Sequence, residues 1–338
     1  MLEFILAVFP FLLITYLLLV HDIRADIVMF LVALMTGMFA LFAWEKQVSE
    51  VIKAVWAGAV QSVEIILILG GVLLIFALLS QRERLTRLEE YLLSLSKEPH
   101  VHIVLLGFFF TFFLEGIAGF GVPALIVAPL LVLVGVPALS AIAICLFTDA
   151  FAVIFGAFGA PIIIGLAPYD YGPVVALSAT IWGLGVVLVP TLLLIIHEVI
   201  SGNPISDIKP YLPLALASGV STGLLFIGTA ILAGPELASV LSSLVGLLFV
   251  LTLMRTGQLS IRLRPASARG ALASLGAYAL IVAVLLITRI PALGIGQRLA
   301  EIPLGSVTAY HPGVLLIGCF LILLLVLRTS ASELGAVI

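Results

Sequence analysis

Apolar residues fall in repeated blocks of about 20, the length that crosses a hydrocarbon core of about 30 Å. Bounding each run by charge, proline and glycine clusters predicts helices at 2–20, 27–44, 58–79, 101–118, 122–134, 138–166, 171–197, 211–232, 236–254, 270–288 and 312–327. The run at 122–134 is too short to cross upright at about 1.5 Å per residue, and reads as half of a re-entrant hairpin. Residues Arg82 to Ser96 interleave Leu85, Leu88, Leu92, Leu93 and Leu95 with Arg, Glu and Ser. That spacing suits an amphipathic helix lying on the membrane surface or on the bundle. A solvated connector is the plainer alternative for the same stretch.

Composition removes the soluble alternatives. Of 338 residues, 63% are hydrophobic and 10% charged, against about 45–50% and about 25% in ordinary soluble domains. The expected fold is therefore an all-α polytopic transmembrane helix bundle of about eleven segments, with residues 1–338 forming one transmembrane domain. The net charge of −3 is small, and the basic residues sit in short clusters, so no nucleic-acid face is expected. Cys145 and Cys319 lie inside apolar spans, where a thiol behaves as a small hydrophobe, and imply neither a disulfide nor a metal framework. Leu2 to Val20 has no basic n-region and no small-residue cleavage site, and reads as a retained first helix.

Orientation follows from the Lys/Arg bias. The 80–100 connector carries Arg82, Arg84, Arg87 and Lys97, and the 255–269 loop carries Arg255, Arg262, Arg264 and Arg269. Both should be cytoplasmic, and the six predicted segments between them keep the parity. The N-terminus is then outside and the C-terminus inside, in the cytoplasmic membrane. Of the 15 basic residues only Lys46, Lys53, Arg289 and Arg298 fall outside on this arrangement.

Candidate chemistry lies between residues 113 and 161. Glu115 to Pro123 holds Gly116, Gly119, Gly121 and Pro123 around Phe120, a run of helix breakers within an apolar block. Such breakers are tolerated at membrane depth only where they face protein or a water-filled cavity. Glu115 also places an acid there, which insertion scales price at a few kcal/mol when charged. Close helix packing would account for Gly119 and Gly121 but not for Glu115 or Pro123. A second cluster repeats the design, with Thr148 and Asp149 followed by Gly156, Gly159 and Pro161. A broken helix exposes unpaired N–H groups and a positive dipole end, which suit a carboxylate. Unwound carbonyls beside an acid suit a cation or proton.

Other matches carry less. Residues 119–124 fit a dinucleotide-binding fingerprint literally, but no soluble strand precedes them and Pro123 interrupts the helix they should open. His102, His197 and His311 stand isolated near span ends and read as interfacial residues rather than metal ligands or a proton relay. Gln61 and Glu64 share a helix face, where a pathway role and a polar helix contact are equally open.

Phe113 to Ile126 reads FLEGIAGFGVPALI, and Cys145 to Ile162 reads CLFTDAFAVIFGAFGAPI. These two stretches resemble the L-lactate permease family of bacteria and archaea, whose patterns run F-L-E-G-x-A-G-F-G-x-P and C-L-x-x-N-T-A-P-V-x-F-G-A-x-G-x-P-I. Gly234 to Leu237 with Ser242 to Val245 is similar to a third, weaker segment. The resemblance runs from near the N-terminus to about residue 330. It implies symport of lactate, glycolate or a similar 2-hydroxy acid with protons, without enzymatic chemistry or cofactor.

Two departures stand out. Asp149 to Ala152 replaces the family's Asn-Thr-Ala-Pro, which exchanges an amide for an acid. A later motif of the family, Gly-Ser-Asp-x-Ser-Ser-Asn, has no counterpart in this sequence. The chain therefore resembles the first half to two thirds of a carrier, and a second polypeptide or symmetry mate is expected to supply the rest. On this reading Glu115 couples the proton, with Asp149. Gly116, Gly119, Phe120, Gly121, Pro123, Thr148, Asp149, Gly156, Gly159 and Pro161 bind the small carboxylate substrate. Membrane lipid is the remaining partner. A non-transporting half-carrier and a membrane-embedded enzyme acting on lipid are the rival readings.

Overall fold

The computed structural model describes all residues except 1, 82–83, 120, 167–171, 260, 262–263, 265–268, 290–292, 305–306 and 328–338. The chain is an all-α bundle that divides into two compact units, residues 1–63 and 64–338. In the first unit α1 (Leu2–Leu19) packs along α2 (Ala25–Phe42). Only Val28 and Val32 of α2 are buried, while Phe30 and Phe42 stand exposed, a distribution that fits lipid contact better than water. The third helix, α3 (Val48–Gln81), begins in this unit and ends in the next. It starts ten residues before the expected 58, because Glu50 and Lys53 end an apolar run but are themselves good helix formers.

In the second unit α4 (Arg84–Ser94) buries Leu88 and Leu92 and lies against α14 (Arg269–Arg289). The connector is thus an amphipathic helix. A central rod follows, made of α5 (Pro99–His102), a π-helical stretch (Ile103–Phe110) and α6 (Thr111–Ile117). Every residue from Val101 to Ile117 is buried. A helix that is apolar on all sides has no face to spare for solvent, so it takes the centre. The π-helical stretch loosens the usual carbonyl pairing, and two hydroxyls answer it. Thr111 Oγ1 donates to Leu106 O at 3.1 Å, and Thr148 Oγ1 donates to Gly107 O at 2.8 Å.

Helix α7 (Val122–Leu133) turns back along the rod, so that Gly107 lies between Leu131 and Ile144. The short segment thus packs back on the helix that precedes it. Next come α8 (Ala138–Ala152), a short 3-10 turn (Val153–Phe155) and α9 (Gly156–Gly165). The expected 171–197 helix is instead two helices, α10 (Gly172–Val186) and α11 (Val189–Ser201), bent by 44°. Pro190, in the first turn of α11, cannot donate the backbone bond that would continue α10. A 3-10 segment (Ile205–Tyr211) leads into the hairpin of α12 (Leu212–Leu232) and α13 (Pro235–Arg255). Helices α10 and α12 meet through glycine: a Cβ on Gly219 would lie 2.1 Å from Val187 O, and one on Gly223 2.5 Å from Gly183 O. Small residues that let backbones touch are the usual membrane contact. After α14, α15 (Ile295–Ala300) and the two-residue strands β1 (Pro303–Leu304) and β2 (Val307–Thr308) precede α16 (Pro312–Val326), which packs on the later part of α3.

Among the described residues six helices are long and apolar enough to cross a membrane, or seven if the bent pair is one span. Four more of the expected segments, α1, α7, α14 and α16, hold shorter apolar helical windows of 10–17 residues. The two basic loops share one end of the second unit. Arg264 N donates to Leu95 O at 2.9 Å, and Arg255 Nη2 to Tyr91 Oη at 2.8 Å.

Candidate functional site

The two sequence clusters meet. Glu115, in the last turn of α6, is 1% exposed. No donor among the described residues reaches either of its carboxyl oxygens in hydrogen-bond geometry. Its neighbour is the half-buried Asp149 carboxyl of α8, close enough for the two acids to interact through charge. Two carboxyls can hydrogen-bond only through a shared proton. Gly156 makes the room: a Cβ there would stand 2.5 Å from Glu115 Oε1.

The helix breaks surround this pair. Gly119 and Gly121 adopt φ of 64° and 77°, and Pro123 sits buried in the first turn of α7. In α9 the break falls on Ala157, Phe158 and Gly159, all left-handed with φ of 43°, 53° and 76°. Two of these are not glycine, and such strain persists only where surroundings enforce it. The surroundings are backbone and the Cβ atoms next to it. A Cβ on Gly119 would meet Ala157 Cβ at 2.9 Å, and one on Gly159 would meet Glu236 N at 2.9 Å. Gly116 presses on Ser239 and Val240 of α13 in the same way.

The third partner is thus the start of α13, where Gly234 has φ of 102° and Glu236 is 4% exposed. Ser239 Oγ donates to Ala152 O at 3.1 Å, satisfying a carbonyl at the broken end of α8. Of the expected site residues, Glu115, Gly116, Gly119, Asp149, Gly156 and Gly159 gather here. Thr148 is buried with its hydroxyl committed to Gly107 O. Gly121 has open space around its Cβ position, and Pro161 is exposed. Phe120 lies outside the described residues.

Residues 3–295 match the family described as L-lactate permease. The chain belongs to the L-lactate permease family. It is 28% identical over 250 residues to an L-lactate permease of Streptococcus iniae, covering 72% of this chain and 51% of that protein. With a glycolate permease of Escherichia coli K12 it shares 32% identity over 160 residues, 46% of this chain and 27% of the relative. An L-lactate permease of the same strain gives 30% over 172 residues, 49% and 30%. The chain thus spans about half the length of the Streptococcus relative, and less of the other two. No solved structure matches it. Family membership and the apolar helices make it a multi-pass membrane protein.

In this permease-family chain two groups stand differently from what the sequence led one to expect. Glu236 was readable in Gly234 to Glu236, another glycine–proline break with an acid beside it, whereas Ser239 three residues on carries no such marker. The other group lies at the end of the unit where the basic loops meet. There His197 is not isolated: its ring is 5.4 Å from that of His100, edge to face, and His100 Nε2 contacts Glu198 Oε1 directly. Its Nδ1 lies 3.1 Å from Ser140 Oγ. His102 is buried as well, with Nε2 at 3.1 Å from Ser96 O.

Proposed function

We propose that the chain is the membrane-embedded body of a proton-coupled symporter for a small 2-hydroxy monocarboxylate such as lactate or glycolate. The observation that carries this is the carboxyl pair of buried Glu115 and half-buried Asp149, enclosed by three helix breaks. The pair offers a place for a proton that changes occupancy during transport. Helix ends at Val122 and beyond Gly159 offer N–H groups and positive dipole ends for the substrate carboxylate. An acid at membrane depth is stable only when neutral or paired, so protonation and anion binding at adjacent points favour each other. Relatives named for L-lactate and for glycolate support the substrate class.

The orientation that goes with this reading puts the end carrying residues 95–100 and 255–264 in the cytoplasm, since basic residues concentrate there. Proteoliposomes should accumulate radiolabelled lactate or glycolate when an inward proton gradient is imposed, and stop when a protonophore is added. Absence of gradient-dependent uptake of either acid by well-folded protein would overturn the proposal.

A further inference from the structure

We propose that His100, His197 and Glu198 form a binding site for one divalent transition metal of the zinc class. One ligand atom from each lies within 4.8 Å of the others. Zinc bonds of about 2.0–2.2 Å put neighbouring donors about 3.4 Å apart around a tetrahedral centre. An ion would settle between the three donors after adjustments of the order of an ångström.

The donors are held as metal ligands usually are, by partners on their far sides. With Nδ1 protonated and donating to Ser140 Oγ at 3.1 Å, with Ser201 Oγ behind it at 3.5 Å, His197 Nε2 is left to offer its lone pair. Tyr211 stacks on the His100 ring at 4.4 Å and 7°, and donates its hydroxyl to Glu98 Oε2 at 3.3 Å. Asn203 N donates to Glu198 O at 2.9 Å, which fixes the turn that follows the carboxylate.

Access is one-sided. The Glu198 side chain is 1% exposed and that of His100 18%, so a cation enters past His100, and water takes the fourth position. Two imidazoles with one carboxylate select zinc, cobalt, nickel or copper over magnesium or calcium, which prefer all-oxygen shells. The site lies about 20 Å along the rod from Glu115, at 1.5 Å per residue. A bound ion would tie the start of that rod to the end of α11.

The test uses chelator-stripped, full-length protein purified without a polyhistidine tag. Equilibrium dialysis against Zn2+ alone should give one ion per chain. His100→Ala and His197→Ala should each bind at least ten-fold more weakly, whereas His21→Ala should bind as the unaltered protein does. Co2+ alone should produce the intense visible absorption of a four- or five-coordinate site, removed by Zn2+. That spectrum needs no variant, so it decides the question even if both alanine variants misfold. Less than one Zn2+ per unaltered chain, binding undiminished in folded variants, or a cobalt spectrum that stays that of the aqueous ion would each overturn the proposal.

Discussion

The Glu115 carboxyl occupies the space that a side chain on Gly156 would need, with Oε1 2.5 Å from the missing Cβ. Gly156 itself has φ −68° and ψ 165°, a conformation open to any residue. Its absence of a side chain thus serves Glu115 rather than the backbone. Gly156→Ala should leave the protein folded and monodisperse but lower proton-driven uptake by about ten-fold or more, since a displacement near 1 Å at a reacting centre can cost about 100-fold. Adding Glu115→Asp, which is one methylene shorter, should recover part of the loss; a purely additive double variant would detach Gly156 from the acid.

Gly159→Ala should behave differently. It must hold φ of 76° with its Cβ 2.9 Å from the Glu236 nitrogen, and backbone cannot move aside as a side chain can. The left-handed penalty alone is about 1–2 kcal/mol. A fall of several degrees in the detergent melting temperature is expected, before any question of transport arises. Wild-type melting would show that the three breaks are not packed as described.

Glu115→Gln should abolish accumulation driven by a proton gradient while leaving substrate exchange between equal pools at least partly intact. Asp149→Asn restores the amide of the family pattern beside that acid. It should make uptake less steep in external pH. An unchanged pH profile would remove Asp149 from the coupling.

The shared end of the basic loops is checked by chemistry in whole cells. Single cysteines at Lys97 and Arg255, in a variant lacking Cys145 and Cys319, should both resist an impermeant thiol reagent. Labelling of both would invert the orientation, and labelling of one alone would contradict the contact between Arg264 and Leu95.

His311 caps α16, its Nδ1 accepting from Gly313 N at 3.3 Å. Burial holds its imidazole below the usual histidine range, against a smaller opposing pull from Glu64. Only the neutral ring can accept, and the unfolded chain takes up the proton first. Stability contributed here is therefore present above the ordinary histidine pKa of about 6.5 and lost as pH falls below it. His311→Asn keeps an acceptor without titrating, so it should flatten the decline of melting temperature between about pH 7 and 5. A decline as steep as wild type would place the titrating group elsewhere.

The helices and the core of the site were legible because their signals are local. Unbroken apolar blocks mark spans, and Glu115 among Gly116, Gly119 and Pro123 marks a break with an acid in it. What stayed hidden depends on contact. The π-helical stretch from Ile103 to Phe110 has no marker in sequence, and the hydroxyl that Thr148 donates to Gly107 O comes from another helix. Glycine spacing placed the second break at Gly156 and Gly159, whereas the strain also falls on Ala157 and Phe158, which only neighbouring backbone can enforce. His100 and His197 are 97 positions apart, and their meeting follows from parity of the helices between them.

Gly119 against Ala157 and Gly159 against Glu236 bring main chain onto main chain, with no long side chain between the three breaks. A joint of that kind has no compliance. A flexible side chain would absorb a small displacement as a damper does, but peptide planes in van der Waals contact transmit it whole. The α6–α7 turn, the break in α9 and the start of α13 are therefore pinned against one another, so that a displacement of one bears directly on the other two.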